Sequence, residues 1–354
     1  MNQFDAITTI TRKIEDALGI PLYLVGGAVR DTLLSRDVKD WDFATSALPD
    51  EIEAAVRKFG AKPYLIGKRF GTIGFKFPFD GSIRGFKYIE ITTFRAEEYV
   101  EGSRKPSVRF SEDIIEDLSR RDFTINAIAM NSHGKLYDPF NGREDCTSEI
   151  IRAVGNPTIR FKEDPLRILR AIRFAAKYDF QIEVQTHKKL SEKRVSLLSV
   201  SKERWADELD KILSLDDPTT GLNLLMESKL MQILIPELVL QYKYNQNTPY
   251  HDFDLWTHTL KVVQATPSDN LNLRWAALLH DVAKPMTRSE KNENQSNYIL
   301  HDIVGAEVAL KICRYLRFSN ERTDYITNAI KNHLHPDSDL KEFDDKGKRN
   351  NILI

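Results

Sequence analysis

Cysteine is nearly absent, with only Cys146 and Cys313 in a chain of 354 residues. Two thiols that far apart exclude a disulfide framework. Neither has the neighbours of a zinc site, so both are expected as reduced filler residues of a cytoplasmic protein. No apolar run reaches the roughly 18 residues of a membrane-spanning helix, so no membrane association is expected. The first residues, Met1-Asn2-Gln3-Phe4-Asp5, lack the basic region and apolar core of a signal peptide. Net charge is nearly lacking too: −1 at pH 7, which by itself argues against a nucleic-acid binder. No internal repeat and no low-complexity tract stands out. What is present is a soluble, globular composition, 41% hydrophobic and 29% charged. The chain is too long for one ordinary core, and about two to four domains are expected.

Charge is unevenly spread. Between Arg152 and Lys177 stand seven cations (Arg152, Arg160, Lys162, Arg167, Arg170, Arg173, Lys177) against two anions, Glu163 and Asp164. A nearly neutral chain with one basic segment can still hold an anionic polymer.

The first part reads as α+β. Phe4, Ile7, Ile10, Ile14 and Leu18 recur at helical spacing, closed by Gly19 and Pro21. Leu22 to Val25 reads as a strand, Ala28 to Ser35 as a short helix and Trp41 to Ala44 as the next strand. Pro49 and Gly60 bracket a further helix. Ile73, Phe75 and Phe77 alternate as in a half-buried strand, and Tyr88 to Phe94 is rich in β-branched residues. A sheet of about five strands is expected up to about residue 150. From about residue 160 the strand signals stop. Pro165 is expected to open a long helix, with Leu166, Leu169, Ile172 and Ala176 on one face and Arg167, Arg170, Arg173 and Lys177 on another. The turn-rich Asp216-Asp217-Pro218-Thr219-Thr220-Gly221 marks a boundary.

Two local patterns carry chemistry. Leu24-Val25-Gly26-Gly27-Ala28-Val29-Arg30-Asp31 runs from strand to paired glycine to helix, a path that lets backbone approach a phosphate. Asp40-Trp41-Asp42 follows; on one strand its two carboxylates project side by side and repel unless a cation lies between them. Oxygen-only ligands favour Mg²⁺, which takes substrate phosphates as further ligands. Together these read as a metal-dependent nucleotidyl-transfer site.

Five motifs in order resemble those of the class II tRNA nucleotidyltransferases, the bacterial-type CCA-adding enzymes with their poly(A) polymerase relatives. Gly26-Gly27-Ala28-Val29-Arg30-Asp31 with Asp40-Trp41-Asp42 matches the catalytic motif, and Arg120-Arg121-Asp122-Phe123-Thr124-Ile125-Asn126-Ala127 the ribose-binding motif. Asp138-Pro139-Phe140-Asn141-Gly142 with Asp145 matches the head-to-neck motif. Glu163-Asp164-Pro165-Leu166-Arg167 matches the base-templating motif, and Glu203-Arg204 with Glu208 the last neck motif. The resemblance implies a polymerase β-like head over 1–150, an all-helical neck over 151–216 and an all-helical body over 217–354. It implies that Asp40 and Asp42 hold two metal ions and that Glu90, in Ile89-Glu90-Ile91, poises a 3′-hydroxyl. Gly26, Gly27, Arg30, Arg121, Asp122 and Asn126 would bind nucleotide, Arg121 and Asp122 by clasping the ribose. Asp164 and Arg167, three apart, would read the edges of C and A, with Arg170 and Arg173 beside them on the basic face. Glu203, Arg204 and Glu208 are expected as a structural network. The implied partners are CTP, ATP and the tRNA 3′ end; nothing in the residues assigns an oligomeric state. Arg95 to Ser119 would be the flexible loop that switches C to A addition. An A-adding enzyme or poly(A) polymerase remains the alternative within the class.

A second pattern lies further on. His258, the pair His280-Asp281 after the apolar Ala276-Ala277-Leu278-Leu279, then His301-Asp302 and His333 resemble an HD phosphohydrolase domain. The implied site comprises His258, His280, Asp281 and His301, and would suit Ni²⁺, Co²⁺ or Mn²⁺ and activate water. Its last carboxylate is open between Asp302, Asp337 and Asp339. His251-Asp252 is expected to lie on the surface. The chain stops at Ile354, where relatives commonly continue with helices for the tRNA elbow, and Lys346, Lys348 and Arg349 are expected as a frayed stub. An HD-type metal-dependent phosphohydrolase or 2′,3′-cyclic phosphodiesterase is the alternative of another class.

Overall fold

A computed structural model describes residues 3–38, 40–76, 88–98, 107–247, 253–292 and 295–334. Phe77, His251, Asp252, Asp337, Asp339, Lys346, Lys348 and Arg349 lie outside the described residues. The chain folds as two compact units, Met1–Glu163 with Gln181–Thr186, and Asp164–Phe180 with His187–Ile354.

The first unit is built on a mixed sheet. Its elements are α1 (Gln3–Leu18), β1 (Leu22–Val25), α2 (Gly27–Leu33), β2 (Trp41–Thr45), α3 (Pro49–Lys58), β3 (Pro63–Tyr64), β4 (Thr72–Lys76) and β5 (Tyr88–Thr93). Then come β6 (Arg95–Glu98), β7 (Ser107–Phe110), α4 (Ile114–Ser119), β8 (Ala129–Asn131), β9 (Leu136–Tyr137), α5 (Gly142–Thr147), β10 (Ile150–Ile151) and α6 (Pro157–Glu163). Seven strands pair in the order β3-β4-β5-β2-β1-β8-β9. Three of the seven, β8 and the edge strands β3 and β9, were not read as strands from the sequence. At two or three residues each they are too short to leave a clear alternation. Only β2 and β5 run parallel; every other neighbouring pair is antiparallel.

Side chains alternate across a strand, so one face of the sheet takes Trp41, Phe43, Ile73, Phe75, Ile89 and Ile91, all fully buried. The facing positions, Asp42, Thr72, Gly74, Tyr88 and Glu90, line the other side. Helix α3 packs against β4 and β5, and α1, with Ile10 and Ile14 buried, against β1. The stretch expected as a loop is ordered at both ends. Arg95 pairs with Phe110 in the β6–β7 hairpin, and α4 follows, capped by the Asp113 carboxylate accepting from the Ile115 amide at 2.8 Å. Residues 99–106 lie outside the described set.

The second unit is helical: α7 (Arg167–Tyr178), α8 (Val184–Glu192, which begins in the first unit), α9 (Lys202–Leu213), α10 (Thr219–Glu227), α11 (Met231–Leu234) and α12 (Pro236–Val239) come first. Then α13 (Leu255–Ala265), α14 (Leu271–Leu279), α15 (Lys284–Thr287), α16 (His301–Tyr315) and α17 (Asn320–Asn332) pack around Trp275, Leu278 and Ile330. One strand pair departs from the all-helical expectation, the hairpin of β12 (Ser289–Asn292) and β13 (Gln295–Asn297). Its residues are wholly polar, so no apolar period betrays it. Strand β11 (Gln181–Ile182), also unexpected, pairs with β10 in the first unit. Both cysteines are buried, and burial pushes each thiol up to about 12, the setting of inert core residues.

Candidate active site and a buried histidine cluster

Asp42 enters the site through strand pairing. In the parallel β2–β5 ladder it stands directly opposite Glu90. Asp40 differs from the sequence expectation of two aspartates on one strand. Strand β2 begins at Trp41, and Asp40 lies exposed in the bend before it. The ladder with β5 ends at Trp41 and that with β1 at Phe43, so strand pairing stops short of Asp40. It stays close enough for its charge to act on both other carboxylates. Burial pushes the Asp42 carboxyl above its ordinary range; Arg121 opposes the shift and Asp40 adds to it. Glu90 is pushed up by burial and by Asp42, while a hydrogen bond from the Tyr88 hydroxyl opposes the rise. Asp42 and Glu90, two facing carboxylates of raised proton affinity with Asp40 nearby, offer oxygen donors of the kind a hard divalent cation takes.

The glycine turn lies on the β1 side of Asp42. Gly26 has φ +66° and ψ −129°, a conformation open to glycine alone, and its amide donates to the Ile128 carbonyl at 3.2 Å. A Cβ there would also fall 2.7 Å from Nη1 of Arg121. Gly27 opens α2. Arg121 donates to Asp117 at 3.0 Å, and Arg120 holds the other Asp117 oxygen at 2.6 Å. Behind them runs a buried relay. Arg30 donates to the Asn126 side-chain oxygen, the Asn126 amide donates to Asp122 at 2.9 Å, and the same Asp122 oxygen accepts from the Phe123 amide at 2.8 Å. Arg30 is buried and also bonded to Asp31 at 2.9 Å, so it braces the turn from within.

Asp164 and Arg167 were expected on one helix face. Helix α7 starts at Arg167, and Asp164 precedes it in the connecting turn. The reason is local: Asp164 Oδ1 accepts from the Leu166 amide at 3.1 Å, an aspartate turn that competes with helix. Its other oxygen accepts from Arg204 at 3.0 Å, and Arg167 is buried. Arg173 donates to buried Glu208 at 2.6 Å, and Lys211 reaches the same carboxylate at 3.1 Å. Arg170 lies over the Phe174 ring. The basic excess is thus partly absorbed internally, since Arg152 pairs with Asp145 and Arg160 with Glu163.

The histidines converge within the second unit. His258 comes from α13, His280 and Asp281 from the end of α14, His301 from the start of α16 and His333 from the end of α17. Asp281 is their centre. Its Oδ2 lies 3.4 Å from His258 Nε2 and 3.0 Å from His280 Nε2, and its Oδ1 3.4 Å from His301 Nε2 and 3.9 Å from His333 Nε2. Three Nδ1 atoms meet main-chain carbonyls: His280 with Ala277 at 2.8 Å, His301 with Tyr298 and His333 with Ile330, both at 2.6 Å. With the proton on Nδ1, donated to these carbonyls, each Nε2 is left facing inward as a metal ligand requires. Burial lowers the proton affinity of His258, and takes His333 down to about 4. Lys284 lies 2.8 Å from the Asp281 carboxylate.

His333 joins the expected set. Asp281, already in the expected set, faces both histidine pairs; of the candidates for a last carboxylate, Asp302 stands in neither group and Asp337 and Asp339 lie outside the described residues.

Comparisons with known proteins bear on both sites. The Poly A polymerase head domain family matches residues 22–152, the family described as the probable RNA and SrmB-binding site of polymerase A matches 179–241, and the HD domain matches 255–350. The chain is 43% identical over 217 residues to a CCA-adding enzyme of Geobacillus sp. (strain WCH70), covering 61% of this chain but only 51% of that protein. It is 32% identical over 326 residues to the CCA-adding enzyme of Staphylococcus epidermidis, covering 89% of this chain and 78% of the relative. Among solved structures, the Bacillus stearothermophilus CCA-adding enzyme in complex with CTP aligns over 99% of this chain and 82% of that one, with a TM-score of 0.62 at 28% identity. No helix among the described residues is long and apolar enough to cross a membrane.

Proposed function

Since the chain belongs to the family of CCA-adding enzymes, we propose that it is a template-independent nucleotidyltransferase that adds CMP and AMP, from CTP and ATP, to tRNA 3′ ends in the cytoplasm. The carrying observation is the β2–β5 register, which sets Asp42 against Glu90 beside the Gly26 turn and Arg121. Residues 1–150 are the catalytic head, 151–216 the base-recognising neck and 217–354 the body. Asp40 and Asp42 would hold Mg²⁺, which when bound would supply charge neutralisation at the transferring phosphate. Glu90, set opposite Asp42 by the ladder, orients the 3′-hydroxyl of the acceptor. The Gly26–Gly27 turn accepts the phosphates, with Arg121 as their cation. Asp122, held by Asn126 and through it by Arg30, accepts from the ribose 2′-hydroxyl. Asp164 and Arg167 present an acceptor and a donor fork to the base, and Arg204 keeps Asp164 in place. A tRNA lacking its 3′ CCA, incubated with each nucleotide alone and with CTP plus ATP, tests this. Full CCA only with both supports it; A tails without CTP point to an A-adding or poly(A) enzyme.

A second activity is favoured by one observation, the four inward Nε2 atoms around Asp281. His258, His280, Asp281, His301 and His333 would hold a borderline transition ion, Ni²⁺, Co²⁺ or Mn²⁺, whose chemistry would be activation of water for phosphoester hydrolysis. Metal content after dialysis against each ion, for wild type and His280→Ala, tests that holding role.

A further inference from the structure

A pocket of about 690 Å³ opens on the same sheet face as Glu90, over β3, β4 and β5. Its walls include Tyr64, Ile66, Phe70, Tyr88, Glu90 and Arg95. The apolar walls are unusually bare. Ile66 is 94% exposed, and Tyr64, Phe70 and Tyr88 keep more than a third of their surface open. Tyr64 and Tyr88 have ring centroids 5.9 Å apart and tilted by 39°, so they form a continuous aromatic surface. Gly74 makes room for it, because a Cβ at that position would lie 2.1 Å from the Tyr88 hydroxyl. That hydroxyl in turn bonds Glu90, which ties the aromatic wall to the catalytic carboxylate. Arg69, exposed, lies over the Phe70 ring at 4.5 Å and adds a cation at the rim.

The sheet order says what belongs there. The Gly26 turn follows β1, Asp42 stands on β2, Glu90 on β5, and the pocket spans β5, β4 and β3. The pocket and the phosphate-binding turn therefore flank the carboxylates from opposite sides. In-line displacement at a phosphate requires the attacking and leaving oxygens on opposite sides of it. With the pyrophosphate leaving on the Gly26 side, the attacking hydroxyl enters from the side of the pocket.

We propose that this pocket binds the 3′-terminal nucleotide of the acceptor RNA. Its base stacks on Tyr64, Tyr88 and Phe70, its 3′-hydroxyl reaches Glu90, and Arg69 and Arg95 attend the backbone phosphate. Stacking on aromatic rings tolerates any base, which suits an acceptor whose last residue changes with every addition. The proposal rests on the nucleotidyltransferase reading given above.

The test uses the full chain with Mg²⁺, a tRNA ending before its CCA, and CTP. Tyr64→Ala and Phe70→Ala change exposed side chains, and thermal melting checks that both variants fold. Each is expected to raise KM for the tRNA about tenfold, the loss of one stacking contact, while KM for CTP stays within about twofold. An acceptor with an abasic 3′-terminal nucleotide should cost the wild type a similar factor and cost the variants little more. A rise in KM for CTP instead would assign the pocket to the incoming nucleotide and overturn the proposal. So would unchanged constants, or an abasic penalty that multiplies fully with the substitutions. If the wild type adds nucleotides to no RNA, the nucleotidyltransferase reading falls, and the acceptor proposal with it.

Discussion

Asp42 shows how one residue gathers its role from its neighbours. Strand pairing fixes it, burial and Asp40 raise its proton affinity, and Arg121 holds that rise in check. Replacing it with alanine removes a metal ligand without opening the apolar face beneath. Asp42→Ala should therefore melt within a few degrees of wild type yet lose about a thousandfold in the rate of CMP addition, corresponding to about 4 kcal/mol. Wild-type rates in Mg²⁺ would refute the site assignment. Arg167 calls for a different readout. It is a buried fork at the start of α7. For Arg167→Ala we expect discrimination of CTP and ATP over UTP and GTP to fall by roughly thirtyfold, about 2 kcal/mol, with a smaller loss of rate on CTP. Misincorporation assays with all four nucleotides measure it, and an unchanged ratio removes Arg167 from base reading. Gly26 carries a conformational demand: Gly26→Ala should cost about 2 kcal/mol of stability, because φ +66° with ψ −129° admits no Cβ comfortably. A urea midpoint equal to wild type would show that the turn relaxes freely.

Helix α4 and the turn after it illustrate an element held by charge. Burial raises the Asp117 carboxyl, but the charges and hydrogen bonds of Arg121 and Arg120 outweigh that, and the group ends below the ordinary carboxylate range. Its unfolded value is about 3.9. A depressed folded value gives stability that is present above pH 4 and is lost as pH falls through the folded value. Asp117→Asn should thus cost about 3 kcal/mol at pH 7, and the gap to wild type should narrow steadily below about pH 4. Denaturant midpoints at both ends of that range measure it. Elements of this length were also where the sequence spoke unevenly. The strands at Leu22, Trp41, Thr72 and Tyr88 announce themselves because each alternates or concentrates β-branched and aromatic residues. The edge strands β3 and β9 and the polar β12–β13 hairpin carry no period to read. Asp42 and Glu90 were each visible as carboxylates on strands. Their pairing was not, because parallel partners come from distant segments and nothing local specifies the register. The aspartate turn at Asp164 shortened a helix that the apolar period continued through.

Across the whole chain, the two proposed sites fall in two compact units, and the physical question is whether they depend on each other. The proposed head site offers carboxylate oxygens, a hard donor set; the second cluster offers four imidazoles and one carboxylate, a softer one. The histidine order was legible in the sequence, yet its closure was not. Four helices had to bring their ends together before Asp281 came to face all four imidazoles. Asp302 itself stands half-buried on α16 and outside the cluster. Every member of the cluster lies in the second unit, and Asp40, Asp42 and Glu90 all lie in the first. His280→Ala, which keeps Asp281 and its partner Lys284, should therefore leave CMP and AMP addition within about twofold of wild type. It should also abolish any release of phosphate from p-nitrophenyl phosphate and any opening of 2′,3′-cyclic AMP that the wild type shows with Ni²⁺, Co²⁺ or Mn²⁺. Removing one of four imidazoles deprives an ion of a strong ligand, and outer helices cannot supply another because the remaining Nε2 atoms already point inward. A wild type inert with every ion would make the cluster a structural joint of the helical body. A folded His280→Ala protein that no longer extends tRNA would show instead that the two units work as one machine.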